Sequence, residues 1–232
     1  MKEKTAKELL KKVELDYEKI AQVFSQTRKW LWPEFDFFKK YVKKGQTVLD
    51  VGCGNGRLYD FFEDVNYIGI DNNKEFIKIA QKNYPSAKFV LDNLLNFSSG
   101  YQADLIFSIA AFHHLPSKAL RKKSIHNLKR NLKENSIIIL TVWNLFQKRY
   151  IKAVFKALFN FIVQFGKYDW NDTFIPWGKT GVNRYYHAFT PKELKNLFVN
   201  NGFEILEMFY TRKGKKVSFL KSHNICLICR KK

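Results

Sequence analysis

The sequence is poor in cysteine, and this shortage bears on both compartment and metal binding. Only three cysteines occur among 232 residues, at Cys53, Cys226 and Cys229. A low, odd count excludes a disulfide framework and favours a reducing compartment, so we expect a cytoplasmic protein. Cys226 and Cys229 form a C-x-x-C pair inside an apolar run that predicts a buried strand. Residues three apart on a strand face opposite sides, so we do not expect the pair to chelate a metal.

Signals for secretion and for membrane insertion are also missing. Residues 1–7 carry charges of both signs without an apolar core, so we expect no secretion signal. The longest apolar stretch, Ile151 to Phe165, is interrupted by Lys152 and Lys156. It falls short of the roughly 20 apolar residues that span a bilayer. The sequence has no internal repeat and no low-complexity linker.

Acidic residues are scarce relative to basic ones. Asp and Glu number 21 against 41 Lys and Arg, which gives a formal net charge of +20. An excess of this size favours a polyanionic partner such as nucleic acid, or an anionic membrane surface. A lysine-rich composition across a whole genome gives the same excess, so charge alone does not decide between these origins.

Short apolar strands alternate with helical segments through the first two thirds of the chain. This order predicts an α/β fold, a Rossmann-like doubly wound, mostly parallel sheet with helices on both faces. Two further strands near the end predict an antiparallel C-terminal hairpin, for seven strands in all. We expect strands at 47–50, 67–70, 88–91, 103–109, 136–142, 203–210 and 217–229, and helices at 34–41, 57–63, 74–83 and 118–132.

We expect a single domain over residues 1–232, built of four parts. An N-terminal helical arm covers 1–44 and a ligand-binding core covers 45–143. An insertion at 144–187 is long enough to predict a functional lid. A C-terminal helix and hairpin cover 188–232, where Thr190 as N-cap, Pro191 and Glu193 predict a helix to Val199.

A glycine-rich turn follows the first strand of the core. Gly52, Gly54 and Gly56 allow a ligand to approach the backbone closely, and the next helix offers its first N–H groups. A dinucleotide fingerprint would place its third glycine at position 57, where this sequence has Arg57. The turn therefore predicts a nucleotide-like ligand but not the hydride-transfer cofactors.

Carboxylates end three successive strands. Asp50 precedes the glycine turn, Asp71 ends the second strand and Asp92 ends the third. Asp71 is placed to accept the two hydroxyls of a ribose, and Asp92 to take an adenine amino group. A single loop aspartate is usually a turn or cap residue. Three of them at one sheet edge predict a ligand site instead.

With these motifs in this order, the sequence resembles the class I S-adenosylmethionine-dependent methyltransferases over about residues 45–142. The resemblance implies S-adenosylmethionine as cofactor, with the three glycines flanking its methionine part, Asp71 at the ribose, and Asp92 with Asn93 at the adenine. His114 is expected to line the cofactor or substrate pocket, with a structural role as the alternative. The full expected cofactor set is Asp50, Gly52, Cys53, Gly54, Asn55, Gly56, Asp71, Asn72, Asp92, Asn93, Leu94, Ile109 and His114.

Four stretches outside or beside that core look like the wobble-uridine tRNA methyltransferases, which make the methyl ester of 5-carboxymethyluridine. They are residues 17–28 followed by Trp32 and Pro33, then 108–115, 172–177 and 184–189. The resemblance implies tRNA as substrate, and eukaryotic relatives work with a small zinc-binding activator subunit. It leaves open whether the uridine carries a carboxymethyl or a carboxymethoxy group.

Methylating a carboxylate needs no general base, because the nucleophile is already ionised near neutral pH. The site must hold the anion and stack the base, so no residue is expected to be catalytic beyond the candidates Arg28 and His187. No metal is expected. Each aromatic taken singly is more often a core residue. The expected substrate residues are Arg28, Trp32, Asp172, Trp177, Arg184, Tyr185, Tyr186 and His187.

The segment 144–170 mixes lysines and arginine with large apolar residues. Lys148, Arg149, Lys152 and Lys156 run beside Phe155 and its apolar neighbours. A basic amphipathic helix of this kind lies on a membrane, grips RNA phosphates, covers the active site or belongs to the core; we expect a lid that contacts RNA. Two alternatives for the whole protein stay open: a small-molecule or lipid methyltransferase at a membrane surface, and a non-catalytic RNA-binding module.

Overall fold

The computed structural model describes residues 1–98, 100–163 and 167–232. Helices and strands alternate through the core, as the sequence predicts. The helices are α1 (Glu3–Thr27), α2 (Lys74–Asn83), α3 (Lys118–Arg130), α4 (Ile151–Val163) and α5 (Pro191–Val199). The strands are β1 (Thr47–Val51), β2 (Asn66–Asp71), β3 (Lys88–Leu91), β4 (Ala103–Ile109), β5 (Leu132–Trp143), β6 (Asp172–Pro176), β7 (Asn183–His187), β8 (Phe203–Arg212), β9 (Lys215–Lys216) and β10 (Asn224–Lys231). Short 3₁₀ helices cover Pro33–Tyr41, Arg57–Phe61, Phe112–His114 and Phe219–Lys221.

The main sheet confirms the predicted α/β class. Its order is β3-β2-β1-β4-β5-β10-β8-β9, with β1 to β5 parallel and β10 antiparallel to both β5 and β8. It has eight strands rather than seven, because the two-residue β9 adds to β8. The chain order reverses between β1 and β4, and ligands of such sheets bind beyond the strand ends at this reversal.

Hydrophobic cores fill both faces of the sheet, and β10 contributes to each. Cys229 packs with Leu49, Ile138 and Leu227 on one face, whereas Cys226 packs with Val48 and Ile139 on the other. The two cysteines of the C-x-x-C pair thus face opposite sides, which confirms the strand interpretation of that motif.

Local capping explains why two helices begin where they do. The Asn73 side chain accepts from the backbone N–H groups of Glu75 and Phe76 at the start of α2. The Thr190 hydroxyl accepts from the Glu193 N–H at 3.2 Å, so the predicted cap of α5 is confirmed.

Several element boundaries were predicted wrongly, among them the start of β5 at Leu132 instead of residue 136, and the insertion holds an unpredicted sheet. The expected helix at 57–63 is a 3₁₀ helix that ends at Phe61, and the expected strand at 217–229 begins only at Asn224. Within the insertion, β6 and β7 form a separate antiparallel hairpin in addition to α4. Phe165, part of the predicted basic segment, lies outside the described residues. No described helix is long and apolar enough to cross a membrane.

Candidate functional site

A cavity of about 610 Å³ lies beyond the carboxyl ends of the parallel strands. The turn after β1 and the ends of β2, β3 and β4 form its floor, while α1 and β7 form its roof. The roof is continuous, because Lys12 Nζ donates to the Asn183 carbonyl at 2.7 Å and joins α1 to β7. The turn is tied to the arm as well, since the Asn55 amide donates to the Arg28 carbonyl at 3.1 Å.

The glycine turn needs its glycines for different reasons. Gly52 has φ +84°, and a Cβ there would stand 2.4 Å from the Ala111 Cβ. Gly54 has φ +55° but faces open space, so its backbone is left uncovered at the cavity. Gly56 does not line the cavity. A Cβ there would stand 2.8 Å from the Phe89 ring, so close packing requires this glycine, and its contact with a ligand stays a prediction.

Two buried carboxyl groups lie beside the turn. Tyr67 donates its hydroxyl hydrogen to Asp50 Oδ2 at 2.8 Å, and burial raises the pKa of Asp50 to about 7 against this hydrogen bond. Asp71 accepts from the backbone N–H groups of Gly54 at 2.8 Å and Asn73 at 2.9 Å. Burial still raises the pKa of Asp71 to about 6. Both groups titrate close to neutral pH.

The predicted cofactor residues converge on this cavity. Except for Gly56, each residue of that set lines it, including Asp92 at the end of β3 and His114 beyond β4. Asp92 accepts from the Asn93 N–H at 2.8 Å. The convergence follows from the parallel strand order, which brings all the strand ends to one edge. Their contacts with a cofactor stay predictions.

Two arginines without acidic partners stand at the roof of the cavity. The Arg184 side chain is 3% exposed, and its Nε has no hydrogen-bond partner among the described residues. No carboxylate in the described part of the chain lies within ion-pair distance of Arg184 or Arg28. Both guanidinium groups face the Trp177 ring, at 4.4 Å and 5.1 Å from its centroid. Burial and the neighbouring Arg184 lower the pKa of Arg28.

A buried cation normally has an anion beside it, because removing the charge from water costs several kcal/mol. Aromatic rings pack around Arg184 instead: those of Tyr17, Trp143 and Tyr186 lie 5.8, 5.4 and 5.1 Å from its Cζ atom. The guanidinium is therefore positioned for an anionic ligand that enters the cavity.

His114 connects the roof to the floor. Its Nδ1 lies 2.8 Å from the Tyr185 carbonyl oxygen, and its Nε2 lies 2.8 Å from the Tyr17 hydroxyl. Burial lowers the pKa of His114 to about 3, against the hydrogen bond to the Tyr185 carbonyl. The ring is neutral, Nδ1 carries its proton and donates to the carbonyl, and Nε2 accepts from Tyr17.

Three predicted substrate residues do not line this cavity, and their contact with a substrate stays a prediction. Asp172, Tyr185 and His187 are 4%, 0% and 1% exposed, and none of them lines it. The Tyr185 hydroxyl donates to Asp172 Oδ1 at 2.7 Å. His187 lies between two carboxylates, 2.8 Å from Asp172 and 2.8 Å from Glu193. This network fastens the hairpin to α5.

The same network contains the one acidic cluster in the described chain that is close enough to hold a metal. Ligand atoms of Asp169, Asp172 and His187 lie within 4.8 Å of one another. Each carboxylate already has a protein donor, since Arg121 pairs with Asp169 at 2.8 Å and the Asp169 N–H binds Asp172 at 2.9 Å. The group is accounted for as a structural ion-pair network.

Of the remaining substrate predictions, Arg28, Trp32, Arg184 and Tyr186 line the cavity. Trp177 lies behind the two arginines, against the ring of Phe24 at 5.6 Å. β7 explains the division: Arg184 and Tyr186 share one strand face, and Tyr185 and His187 share the other.

Among the lining residues that sequence reasoning missed, three polar or aromatic ones stand out. Arg57 stands over the Trp32 ring at 4.7 Å, and burial lowers its pKa to about 10. Tyr17 begins the stretch 17–28 but was not assigned to the site, although its hydroxyl accepts from Arg184 Nη1 at 3.2 Å. Trp143 ends β5, and its place at the carboxyl end of a core strand was the available signal.

A sheet of this order with a glycine turn and strand-end carboxylates defines the class of S-adenosylmethionine-dependent methyltransferases. A family model described as a methyltransferase domain matches residues 22–208. The chain belongs to this methyltransferase-domain family. Solved structures share the fold: a methyltransferase from Methanosarcina mazei matches with TM-score 0.67 at 24% identity, over 84% of this chain and 96% of that one. CcbJ from Streptomyces caelestis matches with TM-score 0.68 at 13% identity, over 93% and 97%.

Curated relatives carry a narrower name. The tRNA (carboxymethyluridine(34)-5-O)-methyltransferase of Schizosaccharomyces pombe is 28% identical over 218 residues, 84% of this chain and 90% of that protein. The Arabidopsis thaliana protein of the same name is 33% identical over 128 residues, 55% of this chain. The Saccharomyces cerevisiae one is 32% identical over 132 residues, 56% of this chain. The matched part spans only 31% and 47% of the last two proteins.

Proposed function

We propose that this protein transfers the methyl group of S-adenosylmethionine to the carboxylate of a 5-carboxymethyl(oxy)-type wobble uridine in tRNA. The names of the curated relatives support the substrate class. The observation that carries the proposal is Arg184, a buried guanidinium with no acidic partner among the described residues, aimed at the cavity. A carboxylate is the planar anion that such a fork binds through two hydrogen bonds.

The cavity fits the proposed cofactor. Gly54 leaves open space where a side chain would stand, and Asp71 and Asp92 offer carboxylate oxygens at the strand ends. We assign Asp71 to the ribose hydroxyls, Asp92 with Asn93 to the adenine, and the turn from Gly52 to Asn55 to the methionine part. When bound, S-adenosylmethionine supplies an electrophilic methyl group on a sulfonium.

The protein's own part is positioning. Arg184 and Arg28 bind the substrate carboxylate and keep it ionised, so that it needs no general base. Trp32 at the cavity wall offers a flat surface on which a uridine base stacks. His114 is neutral, so it does not protonate the substrate carboxylate. The roof of α1 and β7 limits the access of water to the cavity.

The charge of the chain suits a tRNA substrate. A formal net charge of +20 attracts the phosphate backbone whatever the sequence of the RNA. A small zinc-binding activator subunit and a peripheral membrane contact remain predictions, as does the cytoplasmic location.

A transfer assay with labelled S-adenosylmethionine tests the proposal. The purified protein is incubated with total tRNA or with a lipid extract, each with and without a desalted protein extract that supplies any activator subunit. We expect label in tRNA that is released by mild base, because methyl esters hydrolyse. Label that resists base means ring or ribose methylation, and label only in lipid means a lipid methyltransferase. Either result contradicts the proposal.

A further inference from the structure

Helix α4 presents an apolar face to solvent. Phe155, Phe159 and Ile162 are 65%, 64% and 66% exposed, with Leu158 and Val163 beside them at 39% and 55%. Spacings of three, four and seven residues place these side chains on one side of the helix. Large apolar residues grouped on a soluble surface mark an interaction site, whereas scattered ones are ordinary.

The orientation of this face is fixed by the opposite side of α4. Val154 is buried against Leu145, Ile175 and Tyr186, and Ala157 on the same side is buried as well. The Thr173 hydroxyl also donates to the Ala153 carbonyl at 3.3 Å. The apolar face therefore cannot turn inward without emptying this cluster. It does not cover the cavity either, since no described residue of α4 lines it. Within the described part of the insertion, Arg184 and Tyr186 of β7 line the cavity, and a lid role for the insertion stays a prediction.

Cations are frequent in the part of the sequence that carries the apolar face. Residues 144–168 contain Lys148, Arg149, Lys152, Lys156 and Lys167 but neither Asp nor Glu. Lys152 and Lys156 are exposed one helical turn apart, on one flank of the face. The surface combines an apolar face with a positively charged flank, while the acidic Asp169 and Glu193 lie near Phe161, which is not part of that face.

This combination discriminates between possible partners. Protein interfaces are depleted of lysine relative to the rest of the protein surface. RNA phosphates pair with the lysines, but an RNA surface gains nothing from burying Ile162, Leu158 and Val163. An anionic bilayer accommodates both parts, because the acyl boundary takes the apolar face and the headgroups take the cations. We propose that α4 docks this protein on the surface of an anionic lipid bilayer, lying in the interface plane.

Vesicle co-sedimentation of the full chain tests this docking surface. The probes are phosphatidylcholine vesicles with and without phosphatidylglycerol, and the variant is Phe155→Ser with Phe159→Ser and Ile162→Ser. We expect the unmodified protein to sediment with the anionic vesicles. The triple variant should partition roughly a hundredfold less, because three exposed side chains no longer enter the bilayer. All three positions are exposed, so the unfolding midpoint should not fall.

Matched controls separate this surface from net charge. Val23→Ser with Val199→Ser and Leu220→Ser removes exposed apolar residues elsewhere and should sediment like the unmodified protein. Lys152→Glu with Lys156→Glu should weaken binding more than Lys43→Glu with Lys44→Glu, which changes the net charge equally. The proposal would be overturned if the Val23, Val199 and Leu220 variant lost as much vesicle binding as the α4 triple variant. It would also be overturned if the two lysine double variants lost vesicle binding equally.

Three further results would overturn it. One is an unmodified protein that stays in the supernatant, and another is a triple variant that sediments unchanged. The third is loss of tRNA binding or of a dimer in the triple variant without any loss of vesicle binding, which would make α4 an RNA contact or a self-association face. Because the three substituted residues lie outside the cavity, methyl transfer by the triple variant is a readout that does not depend on vesicle binding. Failure of the docking proposal leaves the proposed activity untouched.

Discussion

The Tyr17 hydroxyl donates to His114 Nε2 at 2.8 Å, and this contact fixes the hydrogen bonding of the cavity roof. Because the His114 Nδ1 proton is used by the Tyr185 carbonyl, Nε2 can only accept. The Tyr17 proton is thereby committed, and the free lone pairs of its oxygen accept from Arg184 Nη1 at 3.2 Å. Tyr17 is a positioning residue that orients Arg184 towards the substrate.

Replacing Tyr17 with Phe should reduce kcat/KM for tRNA about tenfold, the cost of one hydrogen bond to a charged group. The ring contacts stay, so cofactor affinity measured by calorimetry should not change. His114→Gln, which keeps an acceptor near Nε2, should retain more activity than His114→Leu. Equal losses in these two variants, or weaker cofactor binding in Tyr17→Phe, would contradict the positioning role.

Arg184→Met should separate stability from activity. Removing a buried charge that lacks an acidic partner should leave the free energy of unfolding unchanged or raise it. The same change should lower kcat/KM about a hundredfold, equivalent to about 3 kcal/mol, through loss of the anion contact. Arg184→Lys keeps the positive charge but lacks the planar guanidinium that makes two parallel hydrogen bonds. Its kcat/KM should therefore lie between those of the unmodified protein and Arg184→Met. Full activity, or clear destabilisation, in Arg184→Met would oppose this role.

Asp50→Asn should stabilise the cofactor-free protein relative to the unmodified protein, by an amount that grows as the pH rises. Burial raises the pKa of Asp50 from the ordinary 3.8 to about 7, so the unfolded chain loses this proton first. The unmodified protein therefore loses stability relative to the variant between about pH 4 and pH 7, by at most about 1.4 kcal/mol per pH unit. Denaturant titrations across this window measure the difference.

Asp104→Asn is the matched control, and its effect should have the opposite sign. Hydrogen bonds from Lys133 and the Thr47 N–H outweigh burial and lower the pKa of Asp104. Its carboxylate stabilises the folded protein at neutral pH, and this advantage is lost as the pH falls below the ordinary value for aspartate. A common trend in both variants would show that the titration does not belong to Asp50.

His187→Ala should destabilise the protein by about 3 kcal/mol and leave KM for tRNA unchanged. The substitution removes His187 from between the carboxylates of Asp172 and Glu193 and leaves the buried Asp172 with only Tyr185 and the Asp169 N–H as donors, which is costly. Tyr185→Phe removes one neutral donor from the same carboxylate and should cost only about 1 kcal/mol. A rise in KM without loss of stability would restore His187 to the substrate site.

Much of the fold is local and was therefore predictable. Thr190, Pro191 and Glu193 specify the start of α5 within one helical turn, and the structure agrees. The start of β10 depends instead on a distant residue. The Asn144 amide donates to the Phe219 carbonyl at 2.6 Å, and it donates to the Ser222 hydroxyl at 2.9 Å. These contacts hold residues 219–222 as a turn, although their apolar pattern alone favours a strand.

The candidate site was predictable where strand topology decides it. Parallel strands bring Asp50, Asp71 and Asp92 to one edge, so chain order was sufficient. The run from Arg184 to His187 was treated as one substrate motif, but it belongs to β7, whose side chains alternate. Recognising that strand would have separated Arg184 and Tyr186 from the other two. The role of Tyr17 needed the tertiary contact with His114, which no local pattern contains.

Mass spectrometry of tRNA nucleosides, from cells with and without this gene, tests the central claim most directly. The account predicts a wobble uridine methyl ester in the presence of the gene. Without the gene, the free carboxylate should accumulate in its place. A gene copy encoding Arg184→Met should fail to restore the ester, whereas the triple α4 variant should restore it. An unchanged ester level without the gene would contradict the account.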